Sequence, residues 1–380
     1  MEAAGVPILD LSPSNPSAVA LPRHDAALRR ALARADASAY RPDPRGLPGA
    51  RRAIAEDCAR RGTPVDPDRL LLCASTSEAY AFTFRLLCDP GDAILAPRPA
   101  YPLLDWLARL DALRLETLPL RREGRWRLDA GDLPQPGPHG PRALVLVNPN
   151  NPTGSFLEAR EARDAVAWAR RCEATLIVDE VFASYPLEGP PPLPRRGAPD
   201  AHPVSFLGDD EAPNLVLDGI SKSCGLPGLK LAWMVVQGPP EFRALASDRL
   251  ETISDTFLSV GTPVQEALPE LLEIGREMHD DIARRVRGNL TRLRALTPPD
   301  SPCELLPVEG GWNVVLRVPR VLSEETWALR LLERDHVLTQ PGWLHDFADE
   351  AWLVLSLLTP PDQLEEGYLR ILARAEEPDR

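Results

Sequence analysis

The chain carries 43 basic residues, and only two of them, Lys222 and Lys230, are lysine. They stand eight positions apart. Where basic positions have gone almost uniformly to arginine, a retained lysine points to chemistry that a guanidinium cannot perform. Arginine stays protonated, whereas a lysine amine taken out of water can lose its proton and attack a carbonyl carbon. Lys222 is therefore the first candidate for covalent chemistry, with Lys230 beside it; chance survival is the competing explanation. Nothing comparable points to a metal. The six histidines are scattered without an HExxH spacing, and the six cysteines lie far apart without CxxC pairs. Free buried thiols are expected.

From about residue 46 to 240, short apolar runs alternate with longer amphipathic stretches, the pattern of strands joined by crossover helices. The expected strands are 70–73, 93–96, 143–147, 174–178, 214–219 and 231–236. Near-continuous apolar strands imply a mostly parallel sheet covered on both faces, with ligands beyond the carboxyl ends of its strands. NPNNPTG follows the third of these strands, DEVF the fourth and ISKS the fifth, so their polar residues would converge. Residues 241–296 read as helical, with breaks at Pro263 and Pro269. Beyond them, GGWNVVLRV (310–318), a helix near 323–334, AWLVLSLL (351–358) and a final helix to about 375 give an α+β pattern. The prolines at 134–141 and 186–195 read as surface loops.

At 380 residues the chain is long enough for two or three lobes, and 44% hydrophobic with 26% charged residues is an ordinary globular mixture. The net charge of −13 gives nucleic acid or an anionic membrane no electrostatic attraction. The N-terminal residues lack a basic start followed by an apolar core, and no apolar run reaches bilayer length, so a cytoplasmic location is expected. No G-x-G-x-x-G follows a strand, which disfavours a nicotinamide dinucleotide.

Six motifs occur in order over nearly the whole chain: YRPDPRGLPGARRAIA (40–55), ASTSEA (74–79), DPGDAILAPRPAYP (89–102), NPNNPTG (148–154), DEVF (179–182) and SKSCGLPGLKLAW (221–233). Together they resemble the class I and II aminotransferases, the pyridoxal-phosphate-dependent enzymes of fold type I. The resemblance implies an α/β fold: a large domain, 46–265, with a mostly parallel seven-stranded sheet that binds pyridoxal 5'-phosphate, and a smaller α+β domain from 1–45 and 266–380 that includes an N-terminal arm. It implies an aminotransferase moving an amino group between an amino acid and a 2-oxo acid through a Lys222 Schiff base, with Lys222 also carrying the proton at the substrate α-carbon. Asp179 would favour the protonated ring nitrogen, Asn151 would donate to the ring 3-oxygen and Tyr101 would stack on the ring. Ser75, Thr76 and Ser77 would place hydroxyls, backbone amides and a helix N-terminus at the phosphate, a role compatible with a Ser75–Glu78 capping box. Lys230 stands where the family usually has a phosphate-binding arginine. Tyr40 matches a tyrosine reaching the phosphate from a neighbouring subunit, so a homodimer is implied.

Two departures bear on the chemistry. The family's DxxY is DEVF here, so Phe182 lacks the hydroxyl that helps hold the 3-oxygen; Tyr185 is a possible substitute. In LVLSLLTP, Val354 occupies the position of the arginine that clamps the substrate carboxylate. Arg317, Arg23 and His345 are candidate replacements, and Ser14 and Asn15 could contribute backbone contacts. Without the clamp, a lyase, decarboxylase or oxidase using the same cofactor is the alternative.

Overall fold

The computed structural model describes residues 7–377, except 23, 37, 39–41, 190–192, 195–202, 259 and 350. The strands that matter for the site are, in chain order, β1 (Leu9–Asp10), β2 (Leu70–Cys73), β3 (Ala93–Arg98), β4 (Arg114–Pro119), β5 (Ala143–Val147), β6 (Thr175–Asp179), β7 (Asn214–Gly219), β8 (Ala232–Gln237), β9 (Glu304–Leu305), β10 (Asn313–Arg317), β11 (Val337–Leu338), β12 (Gln340–Pro341) and β13 (Trp352–Ser356). Besides a helix at Asp25–Ala33, the helices are α1 (Pro48–Arg60), α2 (Thr76–Leu87), α3 (Leu103–Leu110), α4 (Ala159–Cys172), α5 (Ile220–Ser223), α6 (Pro240–Phe257), α7 (Thr262–Leu296), α8 (Glu324–Asp335) and α9 (Pro361–Glu376).

Seven strands form the larger sheet in the order β2-β8-β7-β6-β5-β3-β4. All run parallel except β8, which is inserted antiparallel between β2 and β7. The residues of β2, β6 and β7 are buried throughout, as unbroken apolar runs require when both faces are covered. The seventh strand is β4, an edge strand with the mixed sequence RLETLP and mostly exposed or half-buried positions; an edge needs no continuous apolar run. The strand following α4 starts one residue later than its apolar run suggests, which makes Asp179 its last residue.

The second sheet is antiparallel, in the order β9-β10-β13-β12. Its core includes Val314, Leu316, Leu353 and Leu355, packed with α8, α9 and the second half of α7. The first half of α7 instead buries Val264, Ala267, Leu268, Leu271 and Leu272 in the core below the large sheet. One continuous helix thus joins the two cores.

The helical stretch departs from the sequence expectation at its prolines. The break falls at 258–261, Pro263 lies in the first turn of α7, and Pro269 sits inside an uninterrupted helix. A proline in a first turn costs no hydrogen bond, whereas an interior one costs about 3 kcal/mol. Burial of Leu268, Leu271 and Leu272 around Pro269 offsets that cost. No helix among the described residues is long and apolar enough to cross a membrane.

Candidate active site

The sheet register brings the motif residues to one edge. Asp179 ends β6 opposite Leu217 of β7 and Val147 of β5. Asn151 follows β5, and Lys222 lies in the single-turn helix α5 directly after β7. Cys73 of β2 pairs with Ala232 of β8; because the pair is antiparallel, the Ser75 loop and Lys230 flank the same end of it. Tyr101 follows β3 at the same edge. This is the carboxyl-end location expected of a mostly parallel sheet.

Lys222 extends its amine into a cage of rings. Its Nζ lies 4.9 Å from the Trp312 ring centroid and 5.5 Å from that of Phe182, and donates to the Ser14 carbonyl at 3.3 Å. Burial lowers its pKa from the ordinary lysine value, while the nearby Asp179 carboxylate pulls the other way. An amine in this setting sheds its proton more readily than one in water. The backbone beneath it is fixed by Tyr185, whose hydroxyl donates to the Lys222 carbonyl at 2.7 Å. That bond commits the Tyr185 hydroxyl to the main chain, so Tyr185 does not replace the hydroxyl missing at Phe182.

Asp179 is buried within electrostatic reach of the amine. Tyr80 of α2 donates its hydroxyl to Asp179 Oδ2 at 3.0 Å, and the Val181 amide donates to Oδ1 at 3.1 Å. Burial pushes the carboxyl up to about 6, and these two donors restrain it. At neutral pH the group is mostly ionised, and a buried carboxylate of this kind favours a cationic ring nitrogen.

The loop after β5 is folded tightly. Asn150 donates to the Pro99 carbonyl and to Thr153, and Gly154, at φ +68°, lies so close to Val308 and the Gly310 carbonyl that an added Cβ would sit 2.3 and 2.6 Å from them. Asn151 accepts through Oδ1 from Asn313 Nδ2 at 2.8 Å, which leaves its own N–H pair as the available donor. Tyr101 is 51% exposed, an aromatic ring without a packed partner on one side. Its neighbour Ala100 is tied to the His345 carbonyl at 2.9 Å.

At the start of α2, Ser75 is the N-cap and accepts from the Glu78 amide at 3.2 Å, while Glu78 accepts from the Ala74 amide at 2.6 Å. The side chains of Ser75 and Glu78 thus serve the backbone, and Thr76 and Ser77 open the first turn, where backbone N–H groups lack intrahelical acceptors. Lys230 is exposed, with φ +52°. Tyr40 and Arg23 lie outside the described residues.

This donor set fits pyridoxal 5'-phosphate. Helix amides, hydroxyls and Lys230 suit the phosphate, buried Asp179 suits the ring nitrogen, the Asn151 amide suits the 3-oxygen, the open face of Tyr101 suits the ring and the Lys222 amine suits the aldehyde. Sequence reasoning missed Tyr80, Trp312, Asn313 and Gln340. Trp312 and Asn313 stand beside the GG of GGWNVV, but nothing local in the letters announces a partner in the other sheet. Of the candidates near Val354, Arg317 is drawn off to Glu304 at 2.7 Å, whereas His345 lies 2.9 Å from Gln340. Val354 itself is 1% exposed. Ser14 reaches the site through its carbonyl; Asn15 instead caps the short turn at 16–18.

Comparison with known proteins identifies the family. The model of the aminotransferase class I and II family matches residues 7–371. Nicotianamine aminotransferase A of Hordeum vulgare is 28% identical over 86% of this chain and 70% of its own length; LL-diaminopimelate aminotransferase of Dehalococcoides mccartyi is 24% identical over 87% of this chain and 82% of its own. Among solved structures, an alanine aminotransferase from Pyrococcus furiosus superposes with TM-score 0.84 at 24% identity, covering 99% of this chain and 94% of that one. A match over nearly the full length, ending on a caged Lys222 at the carboxyl edge of a type I sheet, leaves one assignment: the chain belongs to the class I and II aminotransferase family, whose members depend on pyridoxal phosphate.

Proposed function

We propose that Lys222 is the covalent anchor of pyridoxal 5'-phosphate and the acid–base of the reaction, with Asp179, Asn151, Tyr101, Ser75, Thr76, Ser77 and Lys230 as the residues that hold the cofactor. The carrying observation is the state of the Lys222 amine: half-buried beside two aromatic rings, its pKa lowered, within electrostatic reach of Asp179. The cofactor supplies the electron sink that makes the substrate α-carbon acidic. The chain supplies the rest. Lys222 Nζ would take and hold the proton of the substrate α-carbon, which requires an amine that is neutral part of the time. Asp179 keeps a negative charge at the ring nitrogen, and Tyr80 keeps Asp179 in place. Trp312 and Phe182 flank the amine with their rings.

The reaction is amino-group transfer between an amino acid and a 2-oxo acid. Loaded protein mixed with an amino acid, without any oxo acid, should pass to the amine form of the cofactor, read by absorbance. Borohydride reduction followed by peptide mass measurement should place the adduct on Lys222, and Lys222→Ala should carry none. An adduct elsewhere overturns the assignment. A homodimer acting in the cytoplasm belongs to the same reading and is supported by the family resemblance through Tyr40; light scattering at twice the 41.7 kDa chain mass tests it.

A further inference from the structure

An α-amino acid brings a carboxylate beside the carbon on which Lys222 acts, and that carboxylate must meet donors. The facing wall is one side of the second sheet. Asn313 pairs with Ser356, Val315 with Val354, and Val354 with Gln340, and paired residues project to the same face. The end of this face nearest Lys222 is marked by three contacts: Asn313 donates to Asn151, Ser356 Oγ donates to the Pro13 carbonyl at 2.5 Å, and Ser14 accepts from Lys222.

Val354 offers no donor. Gln340 beside it does. Its Nε2 approaches the Ser12 carbonyl at 3.5 Å and its Oε1 lies 2.9 Å from His345 Nε2. A carbonyl only accepts, so Nε2 must face Ser12, Oε1 must face His345, and His345 Nε2 must carry the proton. The amide is therefore oriented, with an N–H left to give. His345 is 3% exposed, and burial pushes its pKa down to about 4 against the pull of the Ala100 backbone, so it orients the amide without adding charge. Ser12 and Ser14 are no more than about 7 Å apart along an extended chain. The Gln340 amide and the Lys222 amine thus reach the same short stretch of the N-terminal segment, through carbonyls two residues apart. The arginines of the neighbouring elements are engaged elsewhere: Arg317 with Glu304, Arg98 with Asp105 and Asp346, and Arg285 with the Ala20 and Leu358 carbonyls.

We propose that Gln340, positioned by His345, receives the α-carboxylate of the amino donor through a neutral N–H, so that the site reads a carbonyl oxygen rather than a negative charge. The inference rests on the assignment of Lys222 above. The same N–H bonds an ionised carboxylate roughly twice as strongly as a neutral carbonyl oxygen, a modest preference for the acid, while an amide and an ester still present the oxygen it needs. Primary amides of amino acids should therefore be donors, with kcat/KM within about tenfold of the acid.

The test uses the loaded enzyme, the standard amino acid that reacts fastest and the primary amide of that amino acid, in single-turnover absorbance measurements. Calorimetric titration with the deaminated acid and its amide supplies a second readout independent of turnover. Parent enzyme should accept acid and amide alike. Gln340→Leu should lower kcat/KM for both at least tenfold, chiefly through KM, and weaken both analogues; Gln340→Glu, of the same size, should suppress the acid while sparing the amide. If the parent prefers the acid by more than a hundredfold, or if both variants bind and react as the parent does, the inference fails while the aminotransferase assignment stands. A parent that reacts with no donor at all overturns the Lys222 reading, and this inference with it.

Discussion

At the scale of single residues, the site is set by which polar atoms are spent on the protein and which are left over. Tyr80 spends its hydroxyl on Asp179. Tyr80→Phe leaves a buried carboxylate short of a donor, at a cost of about 1–3 kcal/mol, and removes one restraint on a pKa that burial already raises. The expected result is a lower melting temperature and weaker retention of the cofactor in equilibrium dialysis, with covalent attachment to Lys222 still possible. Phe182 is the converse case, a missing donor. Its ring packs edge-on against Trp312 at 5.2 Å, and Phe182→Tyr would extend a hydroxyl from the cage toward the cofactor's 3-oxygen. A donor there stabilises the anionic oxygen, so the pH midpoint of the loaded enzyme's absorbance should fall, by about one unit if the bond contributes the usual 0.5–1.5 kcal/mol. An unmoved midpoint would mean that the hydroxyl points elsewhere.

At the scale of elements, the lysine is positioned by packing between segments far apart in the chain. The single turn α5 rests on α7 at Gly275, where an added Cβ would lie 2.4 Å from Cys224 Sγ and 2.6 Å from its Cβ. Gly275→Ala must push the turn that carries Lys222, and overpacking of this kind costs about 1–3 kcal/mol. Both the melting temperature and the rate of the half-reaction should drop. Gly288, in the same helix, has nothing within 4 Å of an added Cβ; Gly288→Ala should leave the rate unchanged and stabilise by about 0.5–1 kcal/mol through helix propensity alone. The same contrast explains what the sequence disclosed. Lys222, Asp179, Asn151 and the Ser75 loop sit in short motifs after apolar strands, so local letters place them. That Lys230 stands at the same sheet edge as the Ser75 loop depends on β8 entering antiparallel between β2 and β7, which no single strand encodes. Asn313 and Gln340 come from the second sheet and His345 from the short turn that follows Pro341, all more than a hundred residues from the motifs, and such long-range placement leaves no local signature. β4 was hidden because an edge strand can be polar, and the tolerance of Pro269 because burial on α7, not propensity, decides that helix.

At the scale of the whole molecule, the carboxyl edge of the sheet is rich in buried acids, and this should appear in the pH dependence of stability. On the face of the sheet opposite Tyr80, a cavity of about 420 Å³ is lined by Glu180, Asp218, Arg61, Ser205 and Cys224 among others. Burial pushes Glu180 up to about 7 even though Ser205 and the Phe206 amide donate to it, and pushes Asp218 up to about 6 even though it faces Arg61 at 3.4 Å. With Asp179 also near 6, three carboxyls keep protons in the folded chain that the unfolded chain has shed. Unfolded acids titrate near pH 4, so between about pH 4 and 7 the native state binds more protons and loses stability as the pH rises. His345, held near 4 instead of its ordinary 6.5, acts in the opposite sense, losing native stability as the pH falls below 6.5, but it is one group against three. The cofactor-free protein should therefore melt at a higher temperature at pH 5.5 than at pH 7.5. Glu180→Gln isolates the largest share: its Oε1 can keep the Phe206 amide and its Nε2 can donate to Ser205, so the packing survives while the ionisation is gone. The variant's melting temperature should change less than the parent's between pH 6 and 8, and curves that run parallel would show that Glu180 is not protonated in the native state.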